Sequence, residues 1–535
     1  MNWFSVVIYI ICGVYMLLNF KRDIHAFQLN SYRLSRYWRW LQNGNIMNAW
    51  HLTDVALLFL MCSTLLIVPL NALLVAMVLL AKIYLILNAK HKKPLVFTKR
   101  VWRLYTCTGI ISLAAFSSFI VWCGNYNFWG EPVSYSMQIP MAAFLLLIAF
   151  SWVVVMLADL FMMPIEKLIN KRYYNDAKRI IGSMHDLQVV GITGSFGKTS
   201  TKHYLYAILS EKYDTLMTPG SYNTTMGVIR TIRESMKPYN EVFICEMGAK
   251  QKGDIKEICD LVHPDCGIIT AVGPMHLETF KSIENVCATK FELADSIPDT
   301  GFVLINNDFE AAAKRPVENT QSIRYAVTNT AGADYIAKDI TYDANGTSFT
   351  IEGPNGFQLS LYSHLIGECN ISNLLAASVM ALKLGVEPEV IKTAVARIEQ
   401  VEHRLSVKRT PGGVTIIDDA FNSNPEGSRM ALEALGNFSS GRRIVVTPGM
   451  IELGDKQEEL NAVLGEHIGK NADVAIIVGN YNRDAIIEGI RRIEGFEEDR
   501  IIIADTFNDA QKELGKILKA GDIVLYENDL PDTFK

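Results

Sequence analysis

Long apolar stretches cover most of the first 165 residues, at 3–20, 54–88, 104–122 and 138–162. A helix needs about 20 apolar residues to cross a bilayer, so the first, third and fourth stretches read as single spans. The second is about twice too long for one span, and Pro69 and Asn71 stand at its middle. It reads as a tight hairpin of two short spans, for about five in all. The polar segments agree. Residues 21–50 hold Lys21, Arg22, Arg33, Arg36 and Arg39, residues 89–103 hold Lys90, Lys92, Lys93, Lys99, Arg100 and Arg103, and residues 123–137 hold no Lys or Arg. Basic loops stay on the cytoplasmic side. About five spans with an outer N-terminus satisfy every loop and leave the rest of the chain in the cytoplasm. A multi-pass cell-membrane protein with cytoplasmic catalytic domains is therefore expected, with the lipid bilayer as a partner. A cleaved signal peptide competes for residues 3–20, but no basic n-region precedes the stretch and no small-residue cleavage site follows. Tyr32, Arg33, Arg36, Tyr37, Trp38, Arg39 and Trp40 suggest a helix lying in the membrane interface, with headgroup or partner binding as the sharper reading. Midplane acids and bases reduce to Lys82, close enough to the cytoplasmic end of its span to snorkel, and Asp159.

Beyond residue 165 the pattern changes to short β-rich runs separated by helical periodicity. Runs at 187–192, Val242–Cys245, Gly267–Thr270 and Val303–Ile305 imply an α/β domain with a doubly wound, mostly parallel sheet. Residues 333–365 add an antiparallel excursion. From about 404 a second, Rossmann-like α/β unit begins, with runs Val414–Ile417, Ile444–Val446, Val474–Val478 and Ile501–Ile503 and an early turn at Gly412-Gly413. The expected domains are 1–165, 166–400 and 401–535.

The first of these strands ends in Thr193-Gly194-Ser195-Phe196-Gly197-Lys198-Thr199-Ser200, and a helical pattern follows. Strand, glycine loop and helix form the setting of a phosphate-binding P-loop. Gly194 and Gly197 let backbone N–H groups, with Ser195 and Ser200 beside them, turn around a polyphosphate. Lys198 offers a cation to the outer phosphates, Thr199 a hydroxyl to Mg2+, and the helix its positive end. The strict GxxxxGK[ST] spacing is missed because Ile192 takes its first glycine position. ATP binding is the expectation.

Charge narrows the classes. The chain of 535 residues has 51 Lys and Arg against 56 Asp and Glu, a net charge of −5. No basic stripe interleaved with aromatics lies outside the membrane-flanking loops, which excludes a nucleic-acid binder. None of the nine cysteines falls in a CxxC pair. Cys245, Cys259, Cys266, Cys287 and Cys369 read as core thiols in a reducing compartment, ahead of a disulfide scaffold or zinc site.

Further segments follow the glycine loop in order: Glu246-Met-Gly-Ala, Gly273-Pro-Met-His276-Leu-Glu278, Ala288-Thr-Lys290-Phe-Glu292, Asn306-Asn-Asp308 and Gly367-Glu-Cys-Asn370-Ile-Ser-Asn373. Arg404, Asp418-Asp419-Ala-Phe-Asn422-Ser-Asn424-Pro425 and Gly449-Met-Ile-Glu-Leu-Gly454 complete them. Over about residues 185–525 the chain resembles the Mur ligases, cytoplasmic enzymes that build the peptidoglycan peptide, and most closely their D-alanyl-D-alanine-adding branch (MurF). The resemblance implies a middle ATP-binding domain, a C-terminal domain and an ATP-dependent acid–amino acid ligase working through an acyl phosphate. It implies that Lys198, Lys290 and His276 are catalytic and that Thr199, Glu246, His276 and Lys290 hold magnesium, with Lys290 carbamylated. That carbamate requires a neutral amine and so a depressed lysine pKa. Asn373 and Arg404 match ATP contacts, Asp419 the acid that holds the nucleotide hydroxyls, and Asn422 and Asn424 the loop near the base. Asn-x-Asn-Pro is also a turn signal by itself. Asn223 lies in a segment that resembles a substrate-side loop.

Several departures bear on substrates. Apolar stretches stand where the family has its UDP-sugar-binding domain. Cys369 replaces a usual His, Phe421 a usual Tyr, and Tyr526-Glu-Asn-Asp-Leu-Pro-Asp532 a Lys-Gly-Ser type of segment. The implied partners are a carboxylated cell-envelope precursor, either the soluble UDP-linked form or a lipid-linked one, and an amino acid or dipeptide amine. A membrane-bound polyglutamate or capsule ligase, an ATPase driving transport through its own spans, and a non-catalytic scaffold are the competing readings.

Overall fold

A computed structural model describes residues 3–30, 32–43, 45–62, 68–89, 94–125, 135–343, 346–421, 423–438 and 441–529. The chain divides into two compact units, Met1–Lys171 and Arg172–Lys535. The division falls a few residues beyond the expected 165, inside a helix.

The first unit is helical: α1 (Trp3–Leu29), α2 (Leu34–Asn43), α3 (Asn45–Cys62), α4 (Val68–Asn88), α5 (Lys99–Asn125), α6 (Tyr135–Ala149) and α7 (Ser151–Gly182), the last running past the division. Among the described residues, two helical segments are long and apolar enough to cross a membrane, Leu70–Asn88 and Lys99–Trp122. A third passes only as the pair Pro140–Ala149 and Ser151–Gly182, bent by 71°. By length and composition the expected five spans thus become two or three. The 54–88 stretch does divide into α3 and α4, whereas 138–162 is not one straight helix. Its bend has a polar cause. Asn19 donates to the Ile148 carbonyl at 3.3 Å and to Ser151 Oγ at 2.9 Å, and Ser151 donates to Asp23 at 2.5 Å. Buried side chains of α1 thus serve backbone and hydroxyl groups freed where α6 stops. On α2, Tyr37 and Leu41 turn inward while Trp38 and Arg39 stay exposed.

Lys82 does not snorkel. It is buried and donates to Asp54 at 2.6 Å and to the Trp50 carbonyl at 2.9 Å, and the Tyr15 hydroxyl donates to the same carboxylate at 3.1 Å. Asp54, at the first position of the second apolar stretch, is thus a buried acid with its own cation. Asp159 faces Arg100 at 3.5 Å, and Arg103 grips Glu166 through two bonds of 2.7 and 2.8 Å.

The second unit is α/β. Its first sheet, among the described residues, has nine strands: β1 (Gln188–Thr193), β2 (Thr215–Met217), β3 (Val242–Glu246), β4 (Cys266–Ile269), β5 (Phe302–Asn306), β6 (Gln321–Ala326), β7 (Tyr335–Asp343), β8 (Gly346–Gly353) and β9 (Phe357–Ser363). The order is 2-3-1-4-5-6-7-8-9, parallel through β7 and antiparallel from β7 to β9. The excursion therefore extends the parallel sheet. Side chains of a strand alternate between faces, and both faces are covered here. Val190, Ile192, Ile244 and Ile268 pack with Tyr204, Leu205, Ile208 and Leu209 of α8 (Lys198–Leu209). Val189, Phe243, Cys245 and Ile269 pack with Ile229, Ile258 and Phe291 on the opposite face. Double coverage is what lets parallel strands read as unbroken apolar runs.

The second sheet contains β10 (Ser406–Arg409), β11 (Thr415–Asp419), β12 (Arg443–Thr447), β13 (Val474–Val478), β14 (Ile501–Ala504) and β15 (Ile523–Glu527), in the order 10-11-15-12-13-14. Only β10 is antiparallel among the described pairings, joined to β11 across the turn at Gly413 (φ 76°). Strand β15 fills the centre between β11 and β12 and had not been anticipated from the sequence.

Candidate functional site

Strand β1 pairs with β3 on one side and β4 on the other. Such a switch point opens a crevice beyond the carboxyl ends of the strands, and the glycine loop leaves β1 there. Gly197 takes φ 78°, and a Cβ on it would strike the Asn373 side chain, as one on Gly194 would strike the Thr270 hydroxyl. The loop closes this tightly only with glycine at both positions. No side chain among the described residues caps α8 at Gly197, so the N–H groups of its first turn, which includes Thr199 and the buried Ser200, are free to meet an anion. The Ser195 hydroxyl donates to the Gly273 carbonyl at 3.0 Å and accepts from the Gly273 N–H at 3.1 Å, pinning the loop to the segment after β4. Lys198 folds back onto the carbonyls of Gly194 and Ser195 at 2.7 and 3.1 Å. Burial brings its ammonium down to about 8, against the pull of Glu246.

Glu246, at the end of β3, is the hub. Its Oε1 accepts from Thr199 Oγ1 at 3.2 Å and Asn223 Nδ2 at 3.0 Å, and its Oε2 from Lys202 Nζ at 3.0 Å. Burial alone would raise this carboxyl. The Lys202 and Lys198 charges, with the bonds from Lys202 and Asn223, hold it below the usual carboxylate range instead. Lys202 was not foreseen. It is 0% exposed and also donates to the Gly220 carbonyl at 2.5 Å, so one ammonium ties α8, the 218–223 loop and β3 together. Its signal was its place one turn after Lys198 and three residues before Leu205, on the same side of α8 as that core residue.

Lys290 is also buried, and its ammonium makes no hydrogen bond among the described residues. Burial first, and then the Lys198 charge, bring it down to about 7, against Asp254 and Glu292. His276 (φ 50°) begins the short helix Leu277–Phe280, and its Nδ1 contacts the Glu452 carboxylate. No three His, Cys, Asp or Glu side chains converge among the described residues; of the four expected magnesium ligands, Thr199 and Glu246 meet directly, while neither His276 nor Lys290 bonds to either of them among the described residues. A buried amine whose charge Asp254 and Glu292 only partly offset suits the expected modification of Lys290: converting it to a carbamate would turn a poorly supported cation into an anionic ligand.

Comparison with known proteins agrees with this geometry. The family model described as the Mur ligase middle domain matches residues 192–381, and the Mur ligase, glutamate ligase domain matches residues 403–526. The UDP-N-acetylmuramoyl-tripeptide–D-alanyl-D-alanine ligase of Mycobacterium tuberculosis (strain H37Rv) is 31% identical over 371 residues, covering 63% of this chain and 70% of that protein. The Bacillus subtilis ligase of the same name is 27% identical, covering 64% of this chain and 72% of its own. Among solved structures, MurF ligase from Thermotoga maritima in complex with ADP superposes with a TM-score of 0.60 at 27% identity, over 67% of this chain and 80% of that one. This chain belongs to the Mur ligase family. It is an ATP-dependent amide-bond ligase of the peptidoglycan-building, MurF-like type.

The residues of this Mur ligase expected on the nucleotide side divide. Asn373 accepts from Thr201 Oγ1 at 3.1 Å, below the glycine loop. The Arg404 guanidinium stacks over the Phe421 ring at 4.1 Å, so the ring that replaces the family Tyr still shapes an arginine. Burial, then the Glu527 charge, push Asp419 up to about 7, while Arg404 and the Leu405 N–H at 3.0 Å oppose them. Asn424 is the N-cap of helix Pro425–Gly436, accepting from the Gly427 N–H at 3.0 Å, so its oxygen does the turn chemistry that Asn-x-Asn-Pro signals. Asn422 lies outside the described residues, as do Leu530–Asp532 of the departing C-terminal segment. Glu527, in the described part of that segment, is buried and accepts from Ser423, from Ser428 at 2.6 Å and from Thr447 at 2.9 Å. Cys369 packs against the core of the second sheet, and burial raises its thiol to about 12, a structural thiol.

Proposed function

We propose that this ligase joins a D-alanyl-D-alanine-type amine to the carboxylate of a peptidoglycan precursor, with the UDP-linked muramoyl tripeptide as the acceptor. The observation that carries the reading is the meeting of Thr199, Asn223 and Glu246 at the crevice, with Lys198 beside them. The γ-phosphate of ATP passes to the acceptor carboxylate, giving an acyl phosphate and ADP; the amine attacks the acyl carbon, loses a proton, and expels phosphate. The protein's share is positioning and charge neutralisation. Lys198 and the α8 N-terminus hold the polyphosphate, Asn373, Arg404 and Asp419 the rest of the nucleotide, and Asn223 borders the acceptor. Thr199, Glu246, His276 and, once carbamylated, Lys290 would hold Mg2+, which would supply charge neutralisation for the phosphates. The 166–400 and 401–535 segments serve as the ATP-binding and C-terminal domains of the ligase.

The helical unit is read as a membrane anchor that keeps the ligase at the cytoplasmic face. Its apolar helices also favour a finer reading, in which the acceptor is lipid-linked. Phosphate release by the purified full chain tests the function: turnover must require both a carboxylate acceptor and the dipeptide. ATP hydrolysis indifferent to either would sink ligation. Mass analysis of product formed from UDP-linked against lipid-linked acceptor separates the two acceptors.

A further inference from the structure

We propose that Glu452 is a positioning residue for the metal centre, orienting His276 from the C-terminal part of the ligase unit, so that metal binding and docking of the 403–526 region on the 192–381 region form one linked equilibrium. The inference rests on the proposed role of His276. An ionised carboxylate can only accept hydrogen bonds, so the Glu452 contact places the ring proton on Nδ1. The neutral imidazole then keeps its lone pair on Nε2, the atom left for a metal. A carboxylate behind a histidine ligand sets ring tautomer and orientation in this way. Here the carboxylate arrives from the other domain.

Its loop is built to deliver it. Glu452 takes φ 63°, and an amide network clamps residues 448–453 around it. Asn461 accepts from the Met450 N–H at 2.9 Å, Asn482 donates to the Pro448 and Met450 carbonyls at 3.0 and 2.9 Å, and Gln457 accepts from the Leu453 N–H at 3.2 Å. The Glu452 carbonyl also accepts from the Glu278 N–H at 3.3 Å. A Cβ on Gly454 (φ 62°) would stand 3.3 Å from the Glu278 backbone, a tight contact in a left-handed conformation that glycine takes without strain. Separating the domains therefore releases His276 from the group that aims it. By linkage, a metal that prefers the aimed ring favours the docked state.

Mn2+ with ADP, followed by the electron-spin resonance of free Mn2+, reads the effect on the full chain in detergent micelles. Glu452→Ala and His276→Ala should each weaken Mn2+ binding about tenfold, and the double variant should be no weaker than His276→Ala alone. Glu452→Gln, whose amide oxygen still accepts from Nδ1–H, should stay within about threefold of wild type. Protection of residues 398–405 from proteolysis by Mn2+ and ADP should disappear in Glu452→Ala. Should that variant not fold, Glu452→Lys must show the same losses. Wild-type affinity in Glu452→Ala, additive losses, or no rescue by Gln would each overturn the inference. Ligation is assayed on the same wild-type preparation. Its absence overturns the proposed function, whereas ligation with unchanged Mn2+ affinity in Glu452→Ala overturns only the role of Glu452.

Discussion

In the helical unit Asp54 is wholly buried, yet Lys82 at 2.6 Å and the Tyr15 hydroxyl answer it, and Arg103 and Glu166 answer each other through paired bonds. In the ligase unit Lys290 lies as deep, and no side chain among the described residues bonds its ammonium; the Asp254 and Glu292 charges are outweighed by burial and Lys198. Burying a lone charge is costly, and burying a paired one is costly to break. The contrast separates architecture from chemistry. Charges that satisfy one another hold helices in register, whereas a buried amine near the Lys198 charge, its own charge only partly offset by Asp254 and Glu292, is free to take up the carbamate proposed above. Glu246 stands between the two cases: Lys202 neutralises it as a structural pair would, while Thr199 and Asn223 bring loop and substrate side to the same carboxylate.

The strongest way to break this contrast is Lys198→Ala. Removing a preorganised cation from developing phosphoryl charge should lower turnover by about 1000-fold, about 4 kcal/mol, in the phosphate-release assay; a rate within tenfold of wild type would remove Lys198 from the chemistry. Next comes the paired side. Asp54→Ala should leave Lys82 buried and alone and cost about 3 kcal/mol in thermal unfolding of the full chain in micelles, with Lys82→Met in the same chain restoring part of the loss. No restoration would mean that the pair is not the unit of stability.

The unanswered side is sharpened by pH. Lys290 sits at about 7, down from the usual 10.5, so its amine is mainly neutral at pH 8 and mainly protonated at pH 6. CO2 adds only to the neutral amine, so carbamate occupancy should fall by roughly tenfold from pH 8 to pH 6, read by carbon-13 NMR in labelled bicarbonate. A level that does not change with pH would leave Lys290 a plain buried lysine. The smallest effect concerns Asn424. Its replacement by Ala should cost about 1 kcal/mol of stability through the lost N-cap and leave ADP affinity unchanged; a weaker nucleotide complex at full stability would return Asn424 to the base.

Much of the site was legible because its parts are local. Strand, glycine pair, lysine and hydroxyl of residues 188–199 follow one another along the chain, and glycine at a tight loop announces itself by its type. The alternation of apolar runs likewise marked β1, β3, β4 and β5, because strands covered on both faces cannot hide their composition. The rest depended on partners distant in sequence. Lys202 looks like any helix lysine until Gly220 and Glu246 close over it. Asp54 looks like the edge of an apolar run until Lys82, a helix away, takes it. The bend between α6 and α7 contains no proline, and its cause sits on α1 at Asn19 and Asp23.

Residue type and order along the chain alone determined the α/β pattern, the phosphate loop and the family, since each of these is set by neighbours within a turn or two. Which buried charges are paired, that β15 enters the middle of the second sheet, that Asn424 caps a helix, and that Glu452 reaches His276 were decided only by tertiary structure. Each depends on the desolvation and geometry of groups brought together from far apart in the chain, and no local spacing encodes that.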